Sequence, residues 1–96
     1  MINCTDILND KGKVLDKEQY IAVLIAIIKN KCTKIGQMYL NETTPAHLTE
    51  VSLPEVSEEG EILIKLRILI TYYKIVAVMT HENNKKMLRV KSFGVM

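Results

Sequence analysis

The sequence predicts an α+β fold: one long helix packed on a small antiparallel β-sheet, in the order β(β)αβββ, within a single domain covering residues 1–96. Three observations carry this expectation. A helix-capping signature at 15–20 leads into apolar residues spaced three and four apart; branched aliphatics recur at every second position from 62 to 70; and turn-forming clusters stand at 9–12, 57–60 and 82–85. With 48% apolar and 25% charged residues the chain has the material for one buried core, and two Pro and four Gly leave no linker-like stretch.

Asn9-Asp10-Lys11-Gly12 reads as a turn, because Asn and Asp bond their own backbone and Gly accepts positive φ. Ile2–Leu8 and Lys13–Leu15 on its two sides are expected to form a short hairpin. In LDKEQY, Asp16 can cap a helix, Gln19 can reach back to the cap's N–H, and Leu15 can pack on Tyr20, so a helix starts at about Lys17. Ile21, Leu24, Ile28, Cys32, Ile35 and Tyr39 then follow the period of one helical face, which carries the helix to Asn41 and Pro45. Its front half, YIAVLIAII, is apolar nearly all round and calls for cover on more than one side.

His47–Leu53 is a plausible strand, and Ser57–Gly60 a turn. In GEILIKLRILITYYKIVAVM, Ile62, Ile64, Leu66, Ile68 and Ile70 alternate with Glu61, Lys65, Arg67 and Thr71, a period of two and not 3.6. This is a strand. A bilayer span would place Lys65, Arg67 and Lys74 in hydrocarbon, at roughly 2.5–3.5 kcal/mol each near its centre. No Gly, Pro or Asn in Thr71-Tyr72-Tyr73-Lys74 supports a tight turn there, so the run is expected to continue as one bent ribbon. Glu82–Lys85 turns the chain, and Met87–Val95 returns as the partner strand.

Charge is unevenly spread. Residues 1–60 hold six lysines against nine carboxylates, net −3, whereas residues 61–96 hold seven cations against two, net +5. If the even-numbered aliphatics face the helix, Lys65, Arg67 and Tyr73 face outward, joined by Lys74 and by Lys86, Arg89 and Lys91 of the last strand. Cations neutralise phosphates and aromatics stack on unpaired bases, so these residues are the candidate nucleic-acid or partner surface. A solvated sheet face, with lysines discouraging edge-to-edge aggregation, is the plainer account of the same residues. Leu63, Leu69, Ile75, Ala77 and Met79 form a candidate oligomer surface, since one helix covers only one side of the sheet and small chains commonly close such surfaces by two-fold pairing.

Catalytic signatures are missing. His47 and His81 lie in no metal-binding spacing, Cys4 and Cys32 lack C-x-x-C spacing, and no P-loop, Rossmann, triad, zinc or EF-hand pattern is present. No enzyme activity, metal or cofactor is therefore expected. The N-terminus has no basic lead and no apolar core, which argues against a signal peptide; a cytoplasmic protein with reduced cysteines is expected. Eleven lysines against two arginines, with frequent Ile and Asn, suit an AT-rich genome such as that of a virus or mobile element. The sequence reading is a small non-enzymatic protein-interaction or assembly module that self-associates as a dimer or higher and holds a protein partner. The alternative is a nucleic-acid binder using the basic C-terminal sheet, and no membrane partner is expected.

Overall fold

In the computed structural model, which describes residues 2–31 and 33–96, helix α1 (Lys17–Lys29) lies against an antiparallel sheet built around three long strands. The strands are β1 (Ile2–Asn3), β2 (Lys34–Ile35), β3 (Met38–Tyr39), β4 (Leu48–Val51), β5 (Glu55–Val56), β6 (Glu61–Ile68), β7 (Thr71–Glu82) and β8 (Lys85–Val95). The main sheet runs β1-β8-β7-β6-β4, with β5 also on β6, and β2-β3 is a separate small hairpin. A strand of twelve residues spans about 40 Å at ~3.3 Å per residue, which accounts for the 42 Å long axis of the molecule.

The helix starts where the capping residues place it: the Asp16 carboxylate accepts from the Gln19 N–H at 3.1 Å. Leu15, 54% exposed, is not sealed against Tyr20. The helix is 13 residues long and caps on Asn30, short of the expected reach to residue 40. Asn30, Thr33 and Gly36 are all weak helix formers, and Gly36 takes φ +57° in the turn joining β2 to β3. Two one-turn 3₁₀ segments, Leu40–Glu42 and Pro45–His47, occupy the predicted helix end. Cys32, expected on the helical face, lies outside the described residues.

The Asn9–Gly12 turn forms as expected, with the Asn9 side chain accepting from the N–H groups of Lys11 and Lys13, both at 2.9 Å. Its flanks make only the Leu8–Val14 bridge, because Ile2–Asn3 pairs with Leu88 and Met87 of β8 instead of with residues 13–15. The predicted turns at 57–60 and 82–85 also form, the second through positive φ at Asn83 and Asn84.

The run 61–79 is not a bent ribbon. It is a two-residue hairpin, with Ile68 paired to Thr71 and Leu69 held at φ +56°. A leucine there costs roughly 1–2 kcal/mol, and long flanking strands hold it in place. On β6 the even positions Ile62, Ile64, Leu66 and Ile68 are buried, as the alternation predicts, but Ile70 is 83% exposed at the turn. Two residues spent on the turn invert the parity, so on β7 the odd positions Tyr73, Ile75 and Ala77 are buried and Met79 packs against them. Together with Tyr20, Leu24, Ile27 and Ile28 of α1 and Leu88 of β8 they make the core, each fully buried Ile or Leu contributing about 1.5–3 kcal/mol. No helix among the described residues is long and apolar enough to cross a membrane.

Candidate functional site

The inner face of β6–β7–β8 is closed by α1 and the N-terminal segment, whereas the outer face carries the alternate side chains of the same strands. Cross-strand register arranges those side chains in rows. Gly94, Lys74 and Lys65 form one row; Ser92, Val76 and Leu63 the next; Arg89, Val78 and Glu61 the third. Lys91 is the extra residue of a bulge in β8, since Val76 opposes Ser92 and Ala77 opposes Val90. Its ammonium reaches Glu61 at 2.8 Å and so joins the outer face. Toward the β6–β7 turn, Tyr72 opposes Arg67, whose guanidinium lies 5.7 Å from the ring centroid and 3.4 Å from Glu50.

Five of the seven predicted contact residues, Lys65, Arg67, Lys74, Arg89 and Lys91, therefore share one face. The other two do not. Tyr73 is buried, its ring stacked on Phe93 with centroids 5.1 Å apart. Lys86 points to the inner side, where its ammonium meets the Leu8 carbonyl at 3.4 Å and Asp10 at 3.7 Å. Of the predicted oligomer surface, Ile75 and Ala77 are fully buried and Met79 packs against the core, so these three belong to the interior. Leu63 stays half-buried on the outer face and Leu69 sits in the β6–β7 turn. All four misplaced β7 residues have one cause: the parity inversion at Leu69–Ile70 turns odd-numbered side chains inward. Tyr72 is the aromatic that reaches the outer face, 46% exposed. The charges held the signal for this, since Lys65 and Arg67 are odd and Lys74 is even, so two outward-facing sets require an inversion between them.

The electrostatics of the face are unbalanced. Lys65 stands directly across from Lys74, a like-charge pairing that costs stability. Among the described residues neither of them, nor Arg89, forms an ion pair, whereas Arg67 and Lys91 are partly neutralised by exposed glutamates. A groove of ≈ 400 Å³ beside this pair crosses β4, β6 and β7 and reaches the chain just beyond β8, lined by Glu50, Ser52, Lys65, Tyr72 and Met96.

Cys4 and the two histidines are engaged elsewhere. Cys4 is buried, its thiol donating to the Lys86 carbonyl at 3.4 Å, and burial pushes its pKa up against the opposing pull of the Lys86 charge. His47 Nδ1 accepts from the Thr44 N–H at 3.0 Å, and His81 sits 3.1 Å from Asp10. That hydrogen bond from His81 is the main cause holding the Asp10 carboxyl below the usual range. Among the described residues no three His, Cys, Asp or Glu side chains gather as a metal site would require. No family model, curated protein or solved structure matches the chain.

Proposed function

We propose that this protein is a non-catalytic binding module whose outer sheet face takes nucleic acid. The observation that carries the reading is the Lys65–Lys74 cross-strand pair, exposed, like-charged and without a carboxylate partner among the described residues, on the same face as Arg89. A phosphate bridging the two ammonium groups relieves their repulsion, so an anionic ligand gains from an arrangement that costs the free protein. Arg67 and Lys91 add to the charge, because exposed ion pairs of about 0–1 kcal/mol are easily exchanged for phosphate contacts. Tyr72 supplies an accessible aromatic for stacking on an unpaired base.

The test is oligonucleotide binding against salt. With three to five cations engaged, log K for a single-stranded oligomer is expected to fall with log salt at a slope of roughly −2 to −3.5. Absence of binding at low salt removes the proposal.

A second reading, a self-associating protein-interaction module, is favoured by the exposed apolar side chains Leu69, Ile70, Tyr72, Val95 and Met96 near one end of the sheet. Light scattering decides it, and a monomer at high concentration ends it.

A further inference from the structure

The long strand β8 is open along most of one side. β7 pairs with it from Lys85 to Val95, but on its other side β1 covers only Met87 and Leu88. The Met96 N–H donates to the Tyr72 carbonyl at 3.0 Å, so Gly94 and Ser92 also address β7. By the alternation of an antiparallel strand, the peptide groups of Phe93 and Val95 face the open side. Beside this edge lies a cleft of ≈ 380 Å³, between the strand and the C-terminal end of α1. Its apolar lining is Ile2, Ile27, Leu88, Val90 and Phe93; its charged lining is Lys31, Arg89 and Lys91, with no carboxylate. Lys91 alone of these forms an ion pair among the described residues.

We infer that this edge is a strand-addition site for an extended peptide segment in which apolar and acidic residues alternate. The segment continues the line of β1, antiparallel to β8, and bonds to the free peptide groups of Phe93 and Val95. Side chains of an added strand point alternately to the two faces. Its apolar set therefore enters the cleft against Ile27, Val90 and Phe93, and its acidic set lies on the outer side near Arg89 and Lys91. Main-chain bonds supply affinity in this mode and alternate side chains supply selectivity. The excess of cations along the cleft disfavours a basic segment and a second copy of β8, which itself carries Lys85, Lys86, Arg89 and Lys91 and no carboxylate. The bulge at Lys91 limits regular pairing to the stretch beyond it, so the segment is short. This inference shares Arg89 and Lys91 with the proposed nucleic-acid face but differs from it in using the main-chain groups of the sheet's edge, which Val95→Pro probes and Lys74→Glu does not.

The test uses fluorescent, end-blocked octapeptides of alternating valine and glutamate, or valine and lysine, titrated with the full chain. The glutamate peptide is expected to bind at least about tenfold more tightly, as ~1.4 kcal/mol per decade requires of a few charge contacts. Val95→Pro removes an N–H that faces away from β7, a place where proline is tolerated on an edge strand. It should leave the melting temperature nearly unchanged and weaken the glutamate peptide about tenfold or more. The double reversal Arg89→Glu, Lys91→Glu should transfer the preference to the lysine peptide. Equal binding of the two peptides, or a Val95→Pro protein that binds as the parent does, overturns the inference. So does self-association abolished by Val95→Pro, since the edge then belongs to a second copy.

Discussion

The inner and outer faces of β6–β7–β8 are made from alternate residues of the same strands and differ in how fully their chemistry is satisfied. Inward, Ile62, Ile64, Leu66, Ile75 and Ala77 are dry and packed. Outward, Leu63, Val76 and Val78 stay half-exposed between rows of cations, two of which oppose each other unneutralised. The inner face thus carries folding stability, and the outer face holds two facing ammonium groups, Lys65 and Lys74, that form no ion pair among the described residues.

Substitutions placed one residue apart test that division most strongly. Ile64→Ala empties a fully buried site and is expected to cost about 2–5 kcal/mol. Leu63→Ala on the opposite face should cost about 1 kcal/mol or less. Urea unfolding at constant m-value measures both, and equal losses would erase the distinction between the faces.

A smaller effect comes from the tyrosine that closes the inner layer. The Tyr20 hydroxyl donates to the Ser52 carbonyl at 3.0 Å, tying α1 to the segment after β4, and Tyr20→Phe should cost about 0.5–1.5 kcal/mol. Burial pushes the ionisation of this hydroxyl far above the usual tyrosine range. Above about pH 10 the unfolded chain releases the proton while the folded chain keeps it, so the unfolded state binds fewer protons and stability falls as pH rises. Every other ionisable group is common to the two proteins and cancels in the comparison. Denaturation from about pH 8 to about pH 11 should therefore show the parent losing more stability than Tyr20→Phe. Parallel curves would show that the hydroxyl is not sealed off from water.

The smallest expected change has the opposite sign. Lys74→Glu replaces a like-charge pair with an attractive one and should stabilise the fold by about 0.2–1 kcal/mol, while weakening oligonucleotide binding. A variant that is more stable and binds equally well would separate the Lys65–Lys74 pair from function.

Much of the architecture was legible in local chemistry. Asp16 announced the helix start, and the turns at 9–12, 57–60 and 82–85 formed because Asn, Asp, Ser and Gly satisfy backbone groups over a few residues. The alternation read over 62–70 selected the buried set Ile62, Ile64, Leu66 and Ile68 on β6 and failed at Ile70, which lies in the turn. The candidate face was only partly legible. Its five cations were identified, but Tyr73 stood in for Tyr72, and Ile75, Ala77 and Met79 were placed on the wrong side. A turn made of Leu69 and Ile70 has no compositional signature, and a leucine at positive φ is what local preference argues against. The helix was overextended for a related reason: Ile35 and Tyr39 fit a helical spacing and also fit the β2–β3 hairpin in which they are found.

By itself the sequence determined the periodicities: a helical face after Asp16, alternation of period two from residue 62 to residue 68, and an excess of positive charge beyond residue 60. Only the tertiary structure decided which side of the sheet each alternating set meets. The position of a two-residue turn sets the parity of everything after it, and that position is fixed by pairing Ile62–Ile68 against Thr71–Ala77 and burying both sets under one helix. Contacts between residues distant along the chain outweigh the backbone preference of a single leucine, and no short window of sequence contains them.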